Sequence, residues 1–207
     1  MVGAHERKDM QPILICGLHR CGTSYLAHCF HESGVPMMRK GAVPTVHFED
    51  VFLLQANIQA MQQVGLDLME PPRDFGDTYP DSFYAALTGY RMQREREGIR
   101  PWGVKAPRIG HLAPAYVQTF HNAKFVICVR NLVHAGKSWH ERGHGKTVAE
   151  AVAALAHQLA FLLDFLPSDR THIWNYDGDP LLERRMLSEF VGREIDTYRN
   201  WQHSGRK

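Results

Sequence analysis

The sequence predicts an α/β fold, a three-layer arrangement in which a central parallel sheet is flanked by helices. Three observations predict it. Short apolar runs of strand length alternate along the chain with longer segments whose apolar residues recur at helical spacing. One run, KFVICV at residues 124–129, is rich in β-branched residues and bounded by polar ones, as a buried strand requires. Near the N-terminus, residues 12–30 read as strand, glycine-bounded loop and helix in immediate succession.

That opening stretch organises the rest. Ile13, Leu14, Ile15 and Cys16 form an apolar run between Pro12 and Gly17, the length of a buried strand. Gly17-Leu18-His19-Arg20-Cys21-Gly22 follows as a turn, then Thr23-Ser24, then Leu26, Cys29 and Phe30 at helical spacing. Such a loop directs successive backbone N–H groups and the positive end of a helix at one anion, so the fold is expected to be P-loop-like. The spacing Gly17-x4-Gly22 fits a nucleoside-triphosphate loop, but that motif needs Lys directly after the second glycine, where this chain has Thr23. The cation sits earlier, at Arg20. Arg20-Cys21-Gly22-Thr23-Ser24-Tyr25-Leu26 resembles, slot for slot, the 5′-phosphosulfate loop of the sulfotransferases that use 3′-phosphoadenosine 5′-phosphosulfate (PAPS), in the bacterial type.

Composition sets bounds. The 207 residues suffice for one domain with a sizeable core, and residues 1–207 are read as a single domain, with 1–10 disordered and 193–207 a C-terminal tail. A net charge of +2, without a basic stripe interleaved with aromatics, points away from nucleic acid. The sequence shows no apolar run near the ~20 residues of a membrane span. The four cysteines have no paired spacing, and with no leader-like N-terminus a reduced, cytoplasmic setting is expected. Cys16 and Cys128 read as small core residues; Cys21, beside Arg20, is either filler or a thiol of lowered pKa. Among the thirteen histidines, His28/His31 and His140/His144 lack a third ligand at zinc-site spacing, so no metal is expected.

The remaining elements follow in order. After a break at residues 32–36 and a loop to residue 45, His47-Phe48-Glu49-Asp50 leads into a helix with Val51, Leu54, Ile58 and Met61 on one stripe. Glu49 and Asp50 would lie in its first turn, where the helix dipole favours carboxylates. Residues 69–80 form a loop dense in Pro, Asp and Gly, and 81–98 a helix with Phe83, Tyr84, Leu87 and Tyr90 on one face. Its charged end, from Arg91 through Arg94 to Glu97, reads as a solvated face. Residues 102–108 make a short strand and turn that bring Lys105 to a strand's carboxyl end. Residues 111–120 read as a helix with Leu112, Tyr116 and Phe120 inward and Pro114 near its start. The strand 124–129 ends in Arg130, where a nucleotide kinase would often carry a magnesium-binding acid. Residues 140–146 form a basic loop. A long helix spans 147–166 with a stripe through Val148, Val152, Leu155, Leu159, Leu162 and Leu166. A strand covers 171–176. Asp179-Pro180 starts a last helix with Leu182, Met186 and Phe190 inward, and Gly192 ends it. Asp177 reads as a turn residue because Gly178 follows it.

The sulfotransferase resemblance extends over residues 11–192 and carries further implications. Arg130-Asn131 with Ser138 resembles the family's 3′-phosphate signature, although Leu132 and His134 stand where Pro and Asp are common. Lys105, Pro107 and Arg108 match a strand-end motif in which Ala106 replaces an acidic residue. His47-Phe48-Glu49 looks like the aromatic-Phe-Glu sequence of bacterial members. The implied reaction moves a sulfuryl group from PAPS to a hydroxyl or amine of a small-molecule, carbohydrate or lipid acceptor, without a metal. Arg20, Cys21, Gly22, Thr23 and Ser24 would hold the 5′-phosphosulfate, and Arg130 and Ser138 the 3′-phosphate. Lys105 would sit near the leaving oxygen, and Glu49, or His47 in its place, would take the acceptor's proton. For Glu49 a plain helix-start role stands beside the catalytic one. The family's Gly- and Lys-containing C-terminal loop has no clear counterpart here; Arg199, His203 and Arg206 are the candidates to replace it. Two other functions stay open, an ATP-dependent P-loop kinase and a catalytically silent nucleotide-binding protein.

Overall fold

A computed structural model describes residues 11–42, 47–73, 79–145 and 147–196. Four strands, β1 (Ile13–Gly17), β2 (Gly103–Lys105), β3 (Lys124–Val129) and β4 (Thr171–Asn175), form one parallel sheet in the order β2-β1-β3-β4. Leu14 lies opposite Val104 on one side and Phe125 on the other. Successive strand residues point to opposite faces, and both faces of β1 and β3 are covered, so these two strands read as apolar runs, whereas the edge strand β4 is half exposed. Leu14, Cys16, Phe125 and Ile127 enter one core, with α2 (Val51–Gln63), α3 (Asp81–Arg96) and α4 (Ile109–Thr119). Ile13, Ile15, Val126 and Cys128 enter the other, with α1 (Thr23–Glu32), α5 (Leu132–His140) and α7 (Pro180–Val191). The long helix α6 (Val148–Phe165) contributes to both. Each fully buried aliphatic or aromatic side chain here adds roughly 1.5–3 kcal/mol. This is the predicted three-layer fold.

Helix ends follow local chemistry. Thr147 caps α6 in a reciprocal box with Glu150, and Asp179 caps α7 ahead of Pro180, with Gly192 closing it at φ 75°. α4 begins at Ile109, earlier than expected, but its backbone leaves helical geometry at Leu112, so Pro114 stands near the start of the segment that follows the kink, where the ring is tolerated.

In three helices the buried stripe differs from the purely apolar one. In α2 it runs through Leu53, Asn57, Ala60 and Met61, while Val51 is exposed. In α6 it runs through Ala151, Ala154, Leu155, Gln158, Phe161 and Leu162, and in α7 through Leu187 and Val191, with Leu182 and Met186 exposed. Partners for polar side chains explain the first two. Asn57 accepts from the Tyr116 hydroxyl at 2.8 Å, and Gln158 donates to the Leu68 carbonyl at 3.0 Å. Close packing of α5 on α6 also matters: a Cβ on Gly136 would stand 2.5 Å from a Val152 methyl. By length and composition alone α6 could span a bilayer, a test that core helices also pass.

The charged end of α3 corrects the solvated reading. Arg94 is buried (1% exposed), donates to the carbonyls of Pro36 and Met38 and to Glu97, and lies with its guanidinium 5.1 Å from the Trp102 ring.

Candidate active site

In the order β2-β1-β3-β4, the chain leaves β1 for β2 on one side and then crosses to β3 on the other. A crevice therefore opens at the carboxyl ends of β1 and β3, where open α/β sheets bind ligands. The loop between Gly17 and Gly22 fills its floor. Gly17 has φ 125°, and a Cβ there would meet the Cys128 carbonyl at 2.5 Å, so only glycine lets the loop leave β1 beside β3. Gly22, at φ 85°, is the residue before α1, and its missing Cβ makes room for the Tyr176 ring, 2.2 Å from where that atom would stand. Arg20 itself adopts φ 69°, a left-handed conformation uncommon for a non-glycine residue.

Arg20 connects the two halves of the site. Its Nε donates to the Ser138 Oγ at 3.1 Å, across more than half the chain. Ser138 comes from α5, whose cap Asn131 accepts from the N–H groups of Val133 and His134. Arg130, at the end of β3, faces Asp177 with Nε 3.4 Å from the carboxylate, and its guanidinium lies 5.3 Å from the Tyr176 ring centre. Asp177 also accepts from the Asn131 N–H at 2.9 Å. It thus serves the turn after β4, as expected, and orients the β3 end too. Arg20, Arg130, Lys137 and Ser138 line a cavity of about 550 Å³, with Glu141 the acid among its lining residues.

A second cavity, of about 300 Å³, shares Arg20 and Arg142 with the first. Thr23, Ser24, His47, Glu49 and Lys105 line it. Asp50, not Glu49, caps α2, accepting from the Phe52 N–H at 3.0 Å and pairing with Arg39 at 2.8 Å. Glu49 precedes the helix and accepts from Lys105 Nζ at 2.7 Å, with Arg108 at 3.4 Å. Phe48 sets its direction: at φ 55°, its ring lies 5.6 Å from both His28 and His31. Burial lowers the Lys105 pKa, while Glu49 pulls it back up. Burial, and then the Lys105 charge, lower that of His47.

Two predicted loop residues line neither cavity. Gly22 stands at the turn into α1, with no side chain to reach a cavity. Cys21 is buried, and burial pushes its thiol up to about 12, so the reading of an activated thiol is corrected to that of a packing residue. Arg199, His203 and Arg206 lie outside the described residues. Among the described residues no three His, Cys, Asp or Glu side chains converge as metal ligands would.

Sequence reasoning missed His19, and of the basic loop at residues 140–146 it did not single out Arg142. The His19 ring stacks on Trp139 at 5.1 Å; its Nε2 is enclosed without a partner, and burial followed by the charges of Arg108 and Lys105 lowers its pKa to about 3. Arg142 lines both cavities from the loop after α5. No local pattern signals His19, because its contact with Trp139 joins segments distant in sequence; for Arg142 the basic run at residues 140–146 is the signal.

No protein-family model and no curated protein matches the chain at the sequence level. Solved structures do match in three dimensions. The sulfotransferase domain of a Synechococcus olefin synthase superposes with a TM-score of 0.62 at 19% identity, covering 95% of this chain and 78% of that one. A sulfotransferase from Mycobacterium avium gives 0.57 at 14% identity over 98% of this chain and 70% of its own. A sugar kinase from a Janibacter species gives 0.53 at 14% identity, covering 88% and 95%. The chain has the three-layer α/β fold shared by bacterial sulfotransferases and P-loop sugar kinases, and the sulfotransferase likeness agrees with the resemblance in its motifs.

Proposed function

We propose that the chain is a PAPS-dependent sulfotransferase. The observation that carries this reading is the Arg20–Ser138 bond, which joins the loop after β1 to the helix after β3 beside Arg130. Two motifs separated by most of a domain thereby line one cationic cavity, suited to a ligand with phosphate groups at two ends. The adjoining cavity holds Glu49 and Lys105. In this reading Arg20 with the N–H groups of Gly22, Thr23 and Ser24 binds the 5′-phosphosulfate, and Arg130 with Ser138 binds the 3′-phosphate. The acceptor oxygen bonds to sulfur as the bond from sulfur to the bridging phosphate oxygen breaks. Glu49 receives the acceptor's proton, Lys105 steadies the charge growing on the leaving oxygen, and adenosine 3′,5′-bisphosphate departs. His47, kept neutral by its surroundings, is the second candidate base.

The kinase reading draws on the fold shared with sugar kinases. Calorimetry separates the two. Adenosine 3′,5′-bisphosphate and ATP are titrated with and without magnesium into wild type and Arg130→Ala. Tight, magnesium-independent binding of the bisphosphate that Arg130→Ala abolishes is expected. A preference for magnesium-ATP, or no binding of either nucleotide, overturns the sulfotransferase reading.

A further inference from the structure

The second cavity carries more positive charge than a sulfuryl donor would use. Among its described lining residues Arg20, Lys105, Arg108 and Arg142 are cations and Glu49 is the acid. Glu49 sits against both Lys105 and Arg108, and so offsets one charge of that pair. Arg20 reaches toward Ser138 and the nucleotide cavity. Arg142 differs from all of these. Its guanidinium has no ion pair or hydrogen bond to any described residue, it is exposed, and it lines both cavities. The apolar side chains in the lining are few: Leu54, Leu68, Pro107 and Trp139. A cavity of about 300 Å³ with this surface offers little to a steroid or an acyl chain.

Resting on the sulfotransferase reading, we propose that the acceptor is a small polar molecule carrying an anionic group, a carboxylate or phosphate, which Arg142 grips while Glu49 faces the reacting hydroxyl. A doubly charged phosphosulfate end would balance two of the cavity's positive charges. One cation remains for the acceptor, and an Arg fork suits a planar carboxylate or a phosphate. The grip acts on binding more than on the chemical step, because the anionic group lies away from the reacting oxygen and is held equally before and during transfer.

The test uses matched acceptor pairs differing in one charge: methyl β-glucuronoside against methyl β-glucoside, 4-hydroxyphenylacetate against its amide, and glycerol 3-phosphate against glycerol. Each is titrated into the full chain preloaded with adenosine 3′,5′-bisphosphate, and sulfation is followed with PAPS as donor. The charged member of at least one pair is expected to bind ~10-fold or more tightly than its neutral twin, as one charge-assisted contact gives. The preference should appear in KM, weaken as salt rises, and shrink toward parity in Arg142→Gln. Equal binding within every pair, a preference for the neutral members, or binding of neither to protein that does hold the bisphosphate overturns the proposal. So does a preference that survives Arg142→Gln. Failure to bind the bisphosphate at all is a different result, which removes the sulfotransferase reading itself.

Discussion

Glu49→Gln probes the site through stability as well as turnover. Lys105 has a side chain only 3% exposed, and its ammonium meets Glu49 at 2.7 Å. Removing one partner of a buried ion pair typically costs about 3–5 kcal/mol, because the other charge is left in a poorly solvated place. Here the cost is smaller. Glu49 is 19% exposed, and Gln keeps an acceptor oxygen within reach of Lys105. A loss of about 2–3 kcal/mol is expected, after discounting the buried-pair figure for that exposure. For a chain of this size that corresponds to a fall in Tm of about 4–12 °C. The pH dependence has a definite sign. Burial holds the Lys105 pKa below the usual lysine value, so the unfolded chain binds its proton more tightly. Lys105 therefore costs stability at neutral pH, and the cost is relieved as pH rises through its folded pKa toward the unfolded one. Without Glu49 the folded pKa drops further, and the deficit of Glu49→Gln should be greatest near pH 7 and shrink in the alkaline range. Lys105→Met removes the stranded charge, so the double variant should be more stable than the sum of the single losses, with a coupling of about 1–3 kcal/mol. Calorimetric unfolding of the four proteins measures this. A Tm for Glu49→Gln within about 2 °C of wild type, or strictly additive losses, would refute the description of the pair as a buried, mutually dependent unit. In the same variant bisphosphate affinity should persist while turnover falls by ~10²-fold or more. Unchanged turnover transfers the proton to His47.

Three other outcomes are expected. Gly22→Ala places a methyl group in the Tyr176 ring at a left-handed backbone position. It should cost about 1–3 kcal/mol and weaken bisphosphate binding at least ~10-fold, and full binding in that variant would show that the loop tolerates a side chain there. Arg94→Met strands the Pro36 and Met38 carbonyls together with Glu97. Urea unfolding should show a loss of about 3 kcal/mol or more, whereas a loss below about 1 kcal/mol would return Arg94 to the surface role its sequence neighbours suggest. His111 is buried, its Nδ1 has no partner, and burial lowers its pKa to about 4. The unfolded chain therefore takes up a proton that the folded one refuses, and stability should decline as pH falls from 6.5 toward about 4. His111→Phe should decline less over that interval; an identical slope in the two proteins would assign the acid sensitivity to other groups.

The sequence by itself determined the elements of this protein and the chemistry at the strand ends. β1 and β3 were legible because strands buried on both faces leave uninterrupted apolar runs, and both ends of α7 because Asp179 and Pro180 at its start and Gly192 at its end act through local backbone geometry. Arg20, Lys105 and Arg130 were legible as crevice residues because Lys105 ends a strand, Arg130 follows one directly, and Arg20 lies in the glycine-bounded loop after β1. Tertiary structure decided what those residues do to each other. The rotated faces of α2 and α6 depend on Asn57 and Gln158 finding partners on distant segments, which an apolar stripe cannot encode. Arg94 looked solvated because its neighbours in sequence are charged, yet the carbonyls that hold it come from residues more than fifty positions earlier. The assignment of the α2 cap to Asp50, which frees Glu49 for Lys105, follows from the left-handed turn at Phe48 and its contacts with His28 and His31. Local patterns record the preferences of neighbouring residues along the chain. Ion pairs, buried polar partners and shared cavities are made between segments that only the sheet order brings together.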